Sequence, residues 1–352
     1  MKKLTLLLLA AVWGACALSS CNKVPVNPPA GNQPCGTARL TISLSGIDAN
    51  IETRGSSTAE NAGDKTASSL QIIICDSEGN RIKALEEEGT VTLSKGMVYT
   101  VVAIVNGPGV SSGVYEARRT VANLATNPFV MYGESTVDLT SSDEETLTVQ
   151  VKSLASRIYL TGIKNGLPPA FGGFTLKKVY LCNVMGAVKL DGTKVATWYN
   201  QYGRKDLATP ITPNSVTGAV DETTPAASRT LVTYNDQGFS IGANFLAKKY
   251  FYTFPNTCRT PVPDNLASLT TWTDQATWLT ICGSVQGKIY YWTANIGAGL
   301  AGGLQRNTSY DVAIVLKNLG SSDPGTPVTE GSADISVNIL PWTAGEEITE
   351  TI

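Results

Sequence analysis

Short runs of β-branched and aromatic residues, broken every few positions by turn formers, constrain this chain more than any other feature. Leu40-Thr41-Ile42-Ser43-Leu44 alternates apolar and polar residues with the period of a strand that buries one face. Leu70 to Cys75 is a continuous apolar run, stopped by the turn cluster Asp76-Ser77-Glu78-Gly79-Asn80. Val91 to Leu93 and Val98 to Val105 follow, the second halted by Asn106-Gly107-Pro108-Gly109. Further strands are expected at Leu147 to Val151, Ile158 to Leu160, Phe174 to Asn183, Tyr250 to Phe254 and Leu279 to Ile281. Lys288 to Trp292, Tyr310 to Leu316 and Ile335 to Leu340 complete the set. Strands at this spacing point to an all-β chain built of sandwiches. Helical stretches are few: Ser111 to Ala125 and Val195 to Tyr202 each suit a short helix, and 206–230 reads as loop.

At 352 residues the chain is long for one domain and suits two. The boundary is expected near residue 163, before Gly166-Leu167-Pro168-Pro169. Charged residues make up only 16% of the chain, with a net charge of −2 and no long basic run, so nothing marks a nucleic-acid surface. The chain has no histidine. That excludes Ser-His-Asp and Cys-His catalysis and any histidine-ligated zinc. Nor does any spacing single out a carboxylate pair for hydrolysis. The expectation is a chain that is not an enzyme and holds no cofactor or metal.

The N-terminus reads as an export signal. Met1-Lys2-Lys3 is a short basic start and Leu4 to Leu18 an apolar stretch too short to stay in a bilayer. It ends in Leu18-Ser19-Ser20-Cys21, which resembles the lipobox of bacterial lipoproteins, with Cys21 as the lipid-bearing new N-terminus. The Pro- and Asn-rich residues 22–31 read as a tether. Among the other cysteines, Cys75 and Cys182 lie in apolar runs and are expected to be buried small hydrophobes. A Cys258–Cys282 disulfide is permitted in an oxidising compartment but not favoured.

Two further stretches stand out. Ile51-Glu52-Thr53-Arg54-Gly55-Ser56-Ser57 opens a polar run of small residues up to Ser69, in which an arginine is accessible to a trypsin-like protease. On spacing alone a plain loop arginine is the simpler account. At the other end, Ile335, Val337 and Ile339 alternate as Leu40, Ile42 and Leu44 do, so each set offers three apolar knobs on one face. Both can equally be ordinary strands of their own domains.

The order of these stretches resembles the FimA-type fimbrillins, the type V pilins of the Bacteroidales. The resemblance rests on the lipobox at Leu18 to Cys21, then a strand, then Thr53-Arg54-Gly55. It extends to Leu70 to Cys75 with Val98 to Asn106, to Val149 to Ile158, and to Arg306 to Val312 followed by a last strand ending Pro341-Trp342. Lys152-Ser153 departs from the family, where an arginine is common, and 195–275 matches nothing recognisable.

The resemblance implies two transthyretin-like β-sandwich domains with few short helices. It divides the chain into a signal peptide (1–20), a lipidated propeptide with the first strand (21–54), two sandwiches (55–163 and 164–332) and a C-terminal strand and tail (333–352). It further implies delivery to the outer membrane through the lipid on Cys21 and cleavage between Arg54 and Gly55 by an arginine-specific protease. The strand carrying Leu40, Ile42 and Leu44 would then be displaced. The C-terminal segment of a neighbouring copy or related pilin would fill its place by strand addition. The donor is either 333–341, through Ile335, Val337 and Ile339, or the tail beyond Pro341, with Trp342, Ile348 and Ile352. The localisation implied is a lipid-anchored precursor, then a fimbrium on the cell surface. A competing reading is a surface lipoprotein or tip subunit that binds glycans or host or bacterial receptors through Trp198, Tyr199, Tyr202, Trp272, Trp278, Tyr290, Tyr291 and Trp292. Most of these read more simply as core or strand residues.

Overall fold

The computed structural model of the chain describes residues 36–47, 67–124, 129–195, 198–199, 233–235, 240–241, 244–245, 249–259, 274–298, 300–322 and 333–341. The first unit contains β1 (Thr37–Ser45), β2 (Leu70–Cys75), β3 (Arg81–Leu85), β4 (Gly89–Ser94) and β5 (Val98–Val105). Helix α1 (Val114–Arg119), β6 (Val121–Asn123), β7 (Met131–Asp138), β8 (Glu144–Gln150) and β9 (Lys152–Ser153) follow. A five-stranded sheet in the order β3-β2-β5-β7-β9 faces a three-stranded sheet in the order β4-β1-β8. Ile72, Ile74, Tyr99, Val101, Ala103 and Val105 from the first sheet pack on Leu40, Ile42, Val91, Leu93 and Val149 from the second, in one buried cluster. The opposite face of β2 and β5, with Ile73, Cys75, Val102 and Ile104, is buried as well, beneath α1. That is why Leu70 to Cys75 reads as continuously apolar: a strand covered on both faces has no solvent side.

Asn106 ends β5 with φ 57. Its side chain accepts hydrogen bonds from the Ser68 backbone N–H (2.8 Å) and hydroxyl (2.9 Å) and donates to the Phe129 carbonyl (3.2 Å). Asparagine suits this post because it tolerates the left-handed region and brings both a donor and an acceptor.

The second unit contains β10 (Ser156–Asn165), β11 (Phe174–Cys182), β12 (Val184–Met185), β13 (Ala187–Lys189) and β14 (Trp198–Tyr199). It continues with β15 (Thr233–Asn235), β16 (Ser240–Ile241), β17 (Asn244–Phe245), β18 (Lys249–Thr253) and β19 (Trp278–Val285). Last come β20 (Lys288–Asn295), β21 (Thr308–Leu316) and β22 (Ala333–Pro341). One sheet runs β17-β10-β21-β22, with β18 also on β10, and the other runs β15-β11-β19-β20, with β16 also on β11. Ile158, Leu160, Ile163, Val312 and Ile314 meet Phe174, Leu176, Val179, Leu181, Leu279 and Trp292 between them.

Both central strands carry a β-bulge. In β10 it falls between Leu160 and Gly162, so the buried set goes from Ile158 and Leu160 to Ile163. In β11 it falls between Leu176 and Lys178, so Phe174 and Leu176 are followed inward by Val179 and Leu181. One extra residue inverts the alternation downstream of it.

The architecture is all-β, with α1 the one α-helix among the described residues. Three expectations change. The sheet switches between Ser153 in β9 and Ser156 in β10, ahead of residue 163. Gly166 to Pro169 ends β10 and does not separate the units, because the Gly166 N–H donates back to Leu316 O at 2.8 Å in the second sheet. No helix forms at Trp198–Tyr199, which pair antiparallel with Val184 and Met185, as aromatic residues with good strand propensity can. Cys258 and Cys282 form no disulfide, Cys282 being buried with Tyr180, Cys182 and Trp278. The two units are stitched together by β6 pairing with β13 and by one apolar cluster running through both.

Candidate functional site

β1 is the middle strand of its sheet although it comes first among the described strands. Leu40 lies opposite Val91 on antiparallel β4 and beside Glu145 on parallel β8, and the β8 register runs from Arg39–Glu144 to Ser45–Gln150. Further hydrogen bonds fasten it at both ends. The Arg39 N–H donates to Asp143 O (2.7 Å), the Leu44 N–H to the Glu88 carboxylate (2.8 Å) and the Val151 N–H to Ser45 O (2.9 Å). On the solvent face Thr41 and Thr90 share a hydrogen bond, as do Ser43 and Thr148, each at 3.0 Å.

On the inner face Ala38, Leu40 and Ile42 are buried to 1%, 0% and 1% exposure, and Leu44 and Ile47 pack partly against the same cluster. Leu40 and Ile42 alone account for roughly 3–6 kcal/mol of burial. Because β4 and β8 pair with β1 and not with each other, taking β1 away leaves an apolar slot between two strand edges. Each edge is a row of unpaired N–H and C=O groups, ready to take another strand.

β22 sits at the edge of the other sandwich. Its register on β21 pairs Ala333 with Leu316, Ile335 with Ile314, Val337 with Val312 and Ile339 with Tyr310. Ala333 is buried, Ile335 and Ile339 are half-buried against the core, and Asp334 forms an ion pair with Lys317. Residues 333–341 are therefore a strand of their own sheet. Among the described residues nothing pairs with the outer edge of β22.

A charged cleft of about 450 Å³ lies where the two units meet, lined by Arg118, Tyr132, Glu134, Gln150, Lys152 and Arg306 along with Asp191. Gly133 forms part of its wall because β7 crosses β8 closely there: a Cβ on Gly133 would come within 2.3 Å of Gln150 O. Arg118 holds Glu134 in a forked ion pair, with Nε at 2.9 Å from Oε2, and the Tyr132 hydroxyl donates to the same Oε2 at 2.7 Å. Burial pushes the Tyr132 phenol above its ordinary range, with Arg118 opposing the shift. Arg306 has a buried Nη1 without a hydrogen-bond partner. The sequence gives little warning of this cleft, because its charges come from five separate stretches.

Of the residues singled out in the sequence, Leu40 and Ile42 face the core, Leu44 is half-buried, and Ile335, Val337 and Ile339 lie on β22. Cys21, Arg54, Gly55, Trp342, Ile348 and Ile352 lie outside the described residues, as do Tyr202 and Trp272. Among the candidate sugar-stacking aromatics, Trp198, Trp278 and Trp292 are core residues, and the Trp292 indole donates to Asn318 O at 2.9 Å. Tyr290 and Tyr291 are half-buried on β20. Cys75 and Cys182 are buried, as their apolar surroundings suggest.

No protein-family model matches the chain, and no curated protein matches it. Solved structures do. A candidate cell adhesion protein from Bacteroides eggerthii is similar with a TM-score of 0.57 at 18% identity, over 89% of this chain and 98% of its own. A candidate cell adhesion protein from Parabacteroides distasonis gives 0.55 at 15% identity, over 87% and 99%. A fimbrilin, FimA, from Porphyromonas gingivalis gives 0.55 at 14% identity, over 88% and 98%. At such identities the likeness is one of fold: the chain has the fold of the fimbrillin-type proteins.

Proposed function

We propose that this chain is a stalk subunit of a bacterial surface fimbria, a structural protein and not an enzyme. It is exported as a lipoprotein anchored through Cys21, cut between Arg54 and Gly55, and polymerised by exchange of β1 for the C-terminal segment of a neighbouring copy. The observation that carries this reading is the place of β1: an N-terminal strand, preceding the candidate cut, in the middle of a sheet whose other two strands do not pair with each other. The fold shared with a fimbrilin supports it.

Pattern favours 333–341 as the inserted strand, which must first leave its place beside β21 in its own sheet. Ala333-Asp334-Ile335-Ser336-Val337-Asn338-Ile339 repeats the apolar and polar alternation of Ala38-Arg39-Leu40-Thr41-Ile42-Ser43-Leu44, departing at Asp334 for Arg39 in charge and at Asn338 for Ser43 in size. In 342–352, by contrast, Glu350 falls on the same face as Ile348 and Ile352 in an extended strand. The contact runs head to tail and does not close, so it propagates as a filament. Loss of residues 1–54 leaves 22 basic and 27 acidic residues, a mildly acidic surface that favours solubility.

The test is to treat the purified full chain with an arginine-specific protease. The expected result is a product beginning at Gly55 and a ladder of SDS-resistant oligomers, both abolished by Arg54→Ala. A cut chain that stays monomeric refutes the reading.

A further inference from the structure

The cleft between the two units is close to the end of the slot that β1 occupies. β1 runs parallel to β8, so its last residue, Ser45, is in register with Gln150, and Gln150 is itself a wall of the cleft. Lys152, two residues on, is another. Arg118 is matched by Glu134, but Arg306 keeps a buried Nη1 without a partner, and Lys152 enters no ion pair among the described residues. With Asp191 as the other acid, the walls hold three cations against two carboxylates.

From these positions, and resting on the strand-exchange reading above, we infer that the cleft is the docking site for the acidic tail of a second copy. Glu346, Glu347 and Glu350 are the residues it receives. A copy of β22 laid in the slot in β1's own direction puts Ala333 where Ala38 is and Leu340 opposite Gln150. Laid in reverse, it puts Ile339 in the space of buried Ala38, an overpacking that cores resist.

The chain then has to continue. β1 turns away at Gly46, which has φ 89 and approaches Val151 so closely that a Cβ would lie 2.2 Å from its carbonyl oxygen. Pro341, which would follow at that position, cannot adopt such a φ. The donor therefore does not follow β1's turn, and it continues beyond Gln150, itself a wall of the cleft that Lys152 and Arg306 also line. Glu346 is six residues beyond Leu340, within reach of roughly 20 Å of extended chain. The cleft would thereby fix the register of the inserted strand, which a slot contacting only alternating aliphatic residues specifies weakly under two-residue slips.

The experiment follows oligomer ladders after protease cutting of the full chain, at low and high salt, for four proteins. These are the unaltered chain, Lys152→Glu, a tail variant with Glu346→Lys, Glu347→Lys and Glu350→Lys, and the combination of both changes. Lys152 is exposed, and unfolding midpoints confirm that each variant is folded. Lys152→Glu and the tail variant should each assemble about fivefold more slowly at low salt, with the deficit vanishing at roughly 1 M salt, where the screening length is about 3 Å. The combined variant should regain most of the rate. Arg306→Gln, which removes a charge without adding one, should slow assembly in the same salt-dependent way. If the unaltered chain forms ladders and neither Lys152→Glu nor the tail variant changes their growth, the cleft–tail pairing is overturned and strand exchange stands. If Lys152→Glu alone matters, the tail is not the occupant. If no protein forms ladders, both readings fall.

Discussion

Leu40→Ala tests how firmly β1 is held. The substitution deletes three side-chain carbons at a fully buried position. At roughly 0.8 kcal/mol per carbon the lost transfer free energy is about 2.4 kcal/mol. The residual cavity between the two sheets brings the expected cost to about 3–4 kcal/mol, inside the range for buried leucines. Leu40 belongs to a cluster confined to the first unit, and residues 36–155 contain no tryptophan. Far-UV circular dichroism in urea should therefore show an early transition that tryptophan fluorescence, reporting on the second unit, does not share. Thr41→Ala, on the solvent face of the same strand, should cost under about 0.5 kcal/mol. After cutting, Leu40→Ala should also polymerise faster, because a weaker resident strand leaves sooner. A loss below about 1 kcal/mol would refute the packing argument for β1, whereas a shift of equal size in both signals would show that the shared cluster makes the two units unfold together.

Other substitutions address other parts of the molecule. Asn106→Ala loses hydrogen bonds to Ser68 and Phe129 at a positive φ, and should lower stability by roughly 2–3 kcal/mol in urea titration. Burial raises the Cys75 and Cys182 thiols above their ordinary value. Their contribution to stability is whole below the unfolded-state value near 8.5 and is lost as pH rises above it, by up to about 1.4 kcal/mol per unit for each thiol. Cys182→Ala should therefore be less stable at pH 7 yet show a flatter fall between pH 8.5 and 9.5 by chemical denaturation. Glu144 on β8 pairs with Arg39 on β1, and Asp334 of a donor would face it instead, so Glu144→Lys should speed ladder formation by a few-fold at low salt.

Much of the first sandwich is legible because its strands are regular. Leu70 to Cys75 and Val98 to Val105 have the same bounds in sequence and structure, and Asp76, which accepts from the backbone N–H groups of Glu78 and Asn80, makes the expected turn. β7 is not legible, since Gly133, Glu134 and Ser135 interrupt its apolar pattern for reasons of close crossing and ion pairing. Bulges in β10 and β11 hide their full length, because alternation counted across an extra residue goes out of phase. The slot is half legible: the knobs on β1 are readable, but its central place between β4 and a parallel β8 is a matter of topology. The cleft is not, because Arg118, Lys152, Asp191 and Arg306 meet only in three dimensions.

The attachment of β1 to the rest of the chain has a kinetic side. Residues 46–69 join it to β2, and as long as they are continuous a β1 that slips out of its slot meets the slot again as part of the same molecule. Such tethering corresponds to an effective concentration in the millimolar range. A severed β1 would return only at its actual concentration. If that is micromolar, the difference of about a thousandfold is worth ~4 kcal/mol, with no contact in the sandwich altered. The linker thus acts as a concentration reservoir for one strand, and a competing strand on another molecule gains its chance when that reservoir is cut off.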